Sequence, residues 1–162
     1  MVKREKVFNE LMDTLYETSR LISTYESIPR TYGTEDELYM VEVHTLNVIG
    51  DHKKITTTEI AEMTNRTKSA VSQMVEKIVK KDLAMKYRNP NNYRELIIEL
   101  TPKGEIIYDY HKKLDEVEYN KHLKNLKDYT AEDFHTILNF AKVFNRGVER
   151  ALSGKDFLGK SE

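Results

Sequence analysis

Between Thr56 and Leu83, side chains that bond to nucleic acids recur on one side of a helical segment. Thr67, Lys68, Ser69, Ser72 and Gln73 cluster near its start, and Lys77 and Lys80 follow along its length. Short hydroxyl and amide groups read base edges at close range. Cations further along meet phosphate. Just downstream, Arg88 and Arg94 flank the turn Asn89-Pro90-Asn91-Asn92, where guanidinium groups can reach phosphate or a minor groove. No strained nucleophile turn, glycine-rich phosphate loop or convincingly placed carboxylate pair occurs, so the chain is not read as an enzyme.

Two helices and a hairpin must position these groups. Ile60, Ala61 and Met63 give the first helix an apolar face. Val71, Met74, Val75 and Ile78 do the same for the second. Asn65 stands between them and tolerates the left-handed backbone that a sharp turn requires. The runs 84–88 and 96–100 are β-prone and are separated by turn residues, which predicts a strand, a turn and a returning strand. A hairpin directly after a groove-facing helix is a wing.

Charge is concentrated where these elements lie. Residues 1–52 hold 5 Lys/Arg and 10 Asp/Glu, for −5. Residues 53–103 hold 11 and 6, for +5. Residues 104–162 hold 10 and 11, for −1. A chain of net charge −1 with one cationic segment is expected to meet polyanion through that segment alone. With no cysteine there is neither a disulfide nor a thiolate metal site. No membrane span or leader pattern is read, so the expected compartment is the cytoplasm, with no membrane partner.

The flanking sequence reads as helices. Residues 3–28 place Phe8, Leu11, Met12, Leu15, Ser19 and Ile22 along one stripe, and Pro29 ends the run. A loop at 30–37 precedes a second helix at about 38–51, with Leu38, Val41, Val48 and Ile49 apolar. Thr101-Pro102 opens a long helix to about residue 127, faced by Ile107, Tyr110, His111, Leu114 and Val117. Thr130, with Asp133 three residues on, opens the last, faced by Phe134, Ile137, Leu138, Ala141, Phe144 and Val148. The fold class is thus mainly α with a small β-wing: a winged helix–turn–helix of six helices, dimeric through its N- and C-terminal helices. The expected divisions are 1–37, an N-terminal dimerisation helix and loop; 38–101, the DNA-binding lobe; 102–152, C-terminal dimerisation helices; and 153–162, a mobile tail. A homodimer would match a two-fold protein to a palindromic duplex.

The order of elements resembles the MarR family of bacterial winged helix–turn–helix regulators. The wing carries the most specific likeness. The family's D-P-x-D-R-R, strand and L-T-x-x-G correspond to Asn89-Pro90-Asn91-Asn92-Tyr93-Arg94 and Leu100-Thr101-Pro102-Lys103-Gly104. Both family aspartates are Asn here and the first arginine is Tyr93; Arg94 is kept. Asn92 can offer Arg94 only a neutral hydrogen bond in place of an ion pair. The resemblance implies a transcriptional regulator, in the role of repressor, whose DNA-binding residues include Thr67, Lys68, Ser69, Ser72, Gln73 and Arg94; Lys77 and Arg88 join this set from the helix face and hairpin tip read above. The segment 43–50, with His111, is similar to the family's repressors of fatty-acid synthesis, which respond to acyl groups on a carrier protein.

An effector, either a small molecule or an acyl carrier, would then bind near Tyr25, Tyr39, His44, Tyr108 and His111, side chains with apolar bodies and polar tips. Ordinary core packing explains the same residues equally well. Glu26, His44, His111 and Asp115 align approximately with the ligands of zinc-dependent members of the family, and His111 and Asp115 share a helix face. The favoured expectation is nevertheless no metal and no cofactor, with His44 and His111 structural or lining a pocket. A winged helix can also serve as a protein adaptor without touching DNA, and the cationic segment argues against that alternative.

Overall fold

The computed structural model describes residues 3–153. Its elements are α1 (Arg4–Glu26), α2 (Met40–His52), β1 (Ile55–Thr56), α3 (Thr57–Thr64), α4 (Lys68–Lys80), β2 (Ala84–Asn89), β3 (Asn92–Leu100), α5 (Pro102–Asn125) and α6 (Ala131–Leu152). Two compact units divide inside α5, one spanning Met1–Asp115 and the other Glu116–Glu162. The tail expected to be mobile lies, beyond Ser153, outside the described residues.

In the first unit, the core is built where α2, α3 and α4 meet the sheet. Val43, Leu46 and Ile49 of α2, Ile60 of α3, Val71, Val75 and Ile78 of α4, and Ile98 of β3 are all buried. The α2 stripe differs from the expected one. Val41 and Val48 are not the sealed positions, whereas Val43 and Leu46 are fully buried. This helix is covered on more than one side, so Glu42 and Thr45 are buried as well.

The helix–turn–helix forms as its residues dictate. Thr56 caps α3 in a reciprocal box: its hydroxyl accepts from the Glu59 backbone N–H, and Glu59 Oε2 accepts from the Thr56 N–H at 2.8 Å. Asn65 takes φ 50°, ψ 44°, the left-handed conformation that ends α3. Asp82, at φ 57°, ends the turn after α4 in the same way, and the Leu83 N–H returns to the Ile78 carbonyl.

The sheet has strand order β1–β3–β2, all antiparallel. β1 was not expected from the sequence: two residues are too short to carry a period. β3 starts at Asn92, four residues ahead of the expected start at 96. Its first half is polar and solvated, held by the hairpin's own hydrogen bonds rather than by burial.

Leu100-Thr101-Pro102-Lys103-Gly104 locks the sheet to α5. The Thr101 hydroxyl donates to the Asp82 carbonyl at 2.7 Å and accepts from the Gly104 N–H at 3.1 Å. Lys103 donates to Asp36 and to the Lys81 carbonyl, each at 3.0 Å. At Gly104 a Cβ would lie 1.9 Å from the Leu83 carbonyl oxygen, so no side chain fits without moving backbone. Of the face expected for α5, Ile107 and His111 are buried and Leu114 half-buried, but Tyr110 and Val117 are about half exposed.

α1 buries no residue, and Phe8, Leu21, Ile22 and Tyr25 are each at least 50% exposed. In the second unit, the Thr130–Asp133 capping box forms as expected, and Phe140 stacks on Phe144 at 6.2 Å. Ile137, Leu138 and Val148 along α6 remain exposed.

Gly104→Ala is expected to lower unfolding free energy by about 2–4 kcal/mol in urea titrations, because the added methyl has only backbone to displace. A loss under about 0.5 kcal/mol would mean that α5 and Leu83 are not held this closely.

Candidate nucleic-acid interface

Lys68, Ser69, Ser72, Gln73 and Lys77 all lie on α4 and are exposed, the last four on the side away from its buried residues. Among the described residues, their side chains make no hydrogen bond or ion pair, so their donors are free for a ligand. Thr67 is the N-cap, and its Oγ1 accepts from the Ala70 N–H at 3.2 Å. Its lone pair is therefore committed to the helix, while its O–H can still donate outward. The buried Val71, Val75 and Ile78 fix the opposite face, and so orient the outer one.

One acidic group interrupts this cationic face. Glu76 is held in an ion pair by Lys86 of β2. The pair cancels a carboxylate that would repel phosphate and ties the base of the hairpin to α4. The sequence carries little signal for it, since ten residues and a turn separate the partners.

At the hairpin tip, Arg88 Nη1 donates to the Tyr93 carbonyl at 2.8 Å, which braces one strand against the other. Four of the five guanidinium N–H groups remain. Arg94 is exposed, and its guanidinium has no partner among the described residues. Asn92 Oδ1 accepts from the Arg94 backbone N–H at 3.3 Å, so the neutral bond expected at the guanidinium forms at the main chain instead. Asn89 Oδ1 accepts from the Asn91 N–H at 3.0 Å and closes the turn.

The five residues expected to line an effector pocket are not brought together. Tyr25, half exposed, has the Arg30 guanidinium 3.9 Å from its ring centroid. Tyr39 caps the start of α2 and borders a groove of about 340 Å³ with Val41, Met74, Lys77 and Lys80. Tyr108 sits at the far end of that helix. Its hydroxyl donates to Asp51 at 2.8 Å, and its ring occupies the space a side chain at Gly50 would need. Only His44 and His111 meet, with ring centroids 5.8 Å apart.

His111 is 1% exposed. Its Nδ1 lies 3.0 Å from Asn47 Nδ2 and 3.2 Å from Asp115 Oδ2, and the Tyr32 ring is 5.5 Å away. One ring nitrogen cannot accept from the amide and donate to the carboxylate at once. Nearby, the Tyr32 hydroxyl and Asn47 Oδ1 are buried with no hydrogen-bond partner among the described residues. Burial pushes the His111 pKa down; Asp115 opposes this, while His44 and Lys112 add to it. Of the four candidate metal ligands, Glu26 is exposed at the end of α1. No three His, Cys, Asp or Glu side chains among the described residues form a group that could hold an ion.

Residues 38–96 match the family model described as "MarR family". Over this segment the chain is similar to the MarR family. The match spans α2, the helix–turn–helix and the wing up to the middle of β3. A Bacillus subtilis protein called an uncharacterized HTH-type transcriptional regulator, YhjH, is 30% identical over 102 residues, 63% of this chain and 58% of its own length. A second B. subtilis relative, the HTH-type transcriptional regulator PchR, is 27% identical over 68% of this chain and 65% of its own length. The chain thus covers under two thirds of either relative. Among solved structures, the zinc-responsive MarR family member ZitR of Lactococcus lactis superposes with TM-score 0.69 at 19% identity, over 88% of this chain and 99% of its own. FabT of Streptococcus pneumoniae, solved in complex with DNA, gives 0.65 at 18% identity, over 91% and 99%. These likenesses establish the winged-helix MarR fold. No helix of the described residues is long and apolar enough to cross a membrane.

The depressed His111 pKa fixes the sign of a pH dependence. The unfolded imidazole, titrating near 6.5, binds protons more readily than the folded one. The contribution to stability is therefore complete above about pH 6.5 and is lost as pH falls from there through the lower folded value. Chemical denaturation from about pH 7.5 to about pH 5, a range that spans the ordinary histidine pKa, should show this loss. A folded His111→Gln variant should show a smaller one, and equal slopes would remove His111 as its source.

Proposed function

We propose that this chain is a sequence-specific, DNA-binding transcriptional regulator acting as a repressor, and that it binds palindromic operators as a homodimer. The observation that carries the reading is the unpartnered polar face of α4, Lys68 to Lys77, beside a hairpin whose Arg94 guanidinium is also unpartnered among the described residues. Both lie in the one segment of the chain with a positive balance. The fold shared with a regulator solved on DNA supports the same reading. In this arrangement Ser69, Ser72 and Gln73 read base edges, Thr67 and Lys77 hold phosphates, and the wing arginines position the protein on the duplex.

The homodimer reading is supported by two apolar faces that the single chain leaves in water, one on α1 and one on α6. Exposed apolar faces of this kind are stabilised by pairing with a second copy. A small-molecule or acyl effector is supported by the unpaired buried Tyr32 hydroxyl and Asn47 carbonyl next to His111. Such a ligand regulates only by binding one arrangement of the dimer more tightly than another. Control of fatty-acid synthesis genes is the finer form of this reading, and it rests on the segment 43–50 with His111. Zinc response has less support, because the candidate ligands do not assemble.

Fluorescence anisotropy with labelled duplex DNA, repeated over a salt series, tests the DNA reading. Arg94→Ala should weaken binding at every sequence and flatten the salt slope by about one counterion. Gln73→Ala should relax discrimination at one base pair, by about 1–3 kcal/mol. Unchanged binding by both variants would remove α4 and the wing from the interaction. Native mass spectrometry should give twice the chain mass of 19.0 kDa, and any bound effector as an added mass. A stable single chain at micromolar concentration would end the dimer reading.

A further inference from the structure

Helix α4 carries one acid, Glu76, among the lysines Lys68, Lys77 and Lys80. Glu76 does not stand at the margin of the polar face. It follows Gln73 by three residues and Ser72 by four, and precedes Lys80 by four, so it shares the outer face with them. Lys80, at i+4, is the partner that helix geometry offers it. The carboxylate instead takes Lys86, across the turn in β2. Lys80 has no ion pair among the described residues. Tertiary structure, not the helix, selects which lysine is neutralised.

Water reaches both partners: the side chains are 46% and 33% exposed for Glu76 and Lys86. An ion pair this wet contributes little to stability, so the fold does not depend on it. Its effect on a nearby polyanion is larger. A free ammonium between α4 and the base of the hairpin would meet phosphate, and each such contact displaces counterions whatever the sequence. Paired with Glu76, Lys86 adds no net charge to the face. It also cannot leave for phosphate without baring a carboxylate beside Ser72 and Gln73.

We propose that Glu76 is a positioning residue that acts through Lys86: it holds that ammonium off DNA phosphate and so limits the sequence-independent part of DNA affinity. This rests on the DNA-binding reading above. A term of this kind is the same for every duplex, so it leaves the ratio between a preferred and an ordinary sequence unchanged. What it shortens is the time spent on ordinary DNA, which outnumbers any preferred site. The acid on a DNA-facing helix is then a brake on non-specific attachment.

Anisotropy with a labelled mixed-sequence duplex, over a salt series, compares wild type with Glu76→Gln, Lys86→Gln and the double variant. Glu76→Gln should bind about threefold to tenfold more tightly near about 0.1 M salt, with a slope steeper by about one counterion. Lys86→Gln should bind more weakly, because it bares the carboxylate. The double variant is neutral at both positions, as the wild-type pair is in sum, and should return to wild-type affinity and slope. If the pair only braces the hairpin, all three variants bind more weakly; the inference then falls and the regulator reading stands. It falls equally if the double variant keeps the gain of Glu76→Gln, since the carboxylate would then act without Lys86. If wild type binds no duplex, the regulator reading falls and this inference with it.

Discussion

The arrangement of the polar groups on α4 depends on a buried carboxylate. Glu42, 3% exposed within α2, accepts from Lys81 at 2.8 Å just past the end of α4. The same ammonium also donates to the Glu37 carbonyl. Lys103, at the start of α5, bonds to the Lys81 carbonyl and to Asp36, whose carboxyl this lysine holds below its usual range. Four segments thus meet at two lysines. A carboxylate in an apolar interior is costly unless paired, so the site stays closed. It fixes the C-terminal end of α4 against α2, while Val71 and Val75 fix its face. The outward side chains of α4 take their aim from a helix held at its end by Lys81 and along its face by Val71 and Val75.

From this constraint follows the division of labour around it. Hydroxyls, an amide and lysines stand outward on α4, and the Glu76–Lys86 pair joins that helix to the hairpin while removing its one acid from play. Thr101 and Gly104 weld the end of β3 to the first turn of α5, so the wing is anchored at its root and braced at its tip by Arg88. The motif residues of the wing are mostly architectural. What they leave without a partner among the described residues, the Arg94 guanidinium, is where contact with a partner can occur.

Much of this was legible in the sequence. Period and caps identified α3, α4 and α6. Asn65 marked its turn because few residues accept a positive φ, and Thr130 with Asp133 marked the start of the last helix. The face of α4 could be read because its apolar and polar residues separate cleanly. α2 was less legible: a helix covered on several sides has no single stripe, so Val43, Leu46 and Glu42 were missed as core. β1 and the first half of β3 were hidden because neither is held by an apolar alternation. The Glu42–Lys81 and Glu76–Lys86 pairs join residues distant in sequence, or across a turn, and charge counts alone cannot place them. Tyr39 and Tyr108, grouped as one pocket, stand at opposite ends of α2, a separation that composition does not encode.

If duplex DNA is met by α4 and the wing of the first unit, the backbone amides of those segments must sense it. Amide shifts of isotope-labelled protein, followed while duplex is added, test this residue by residue. The expected changes are concentrated at 66–77 and 88–94, with the α6 signals left in place. Shifts confined to α1 or α6, with α4 and the hairpin unmoved, would contradict the proposed mode of binding.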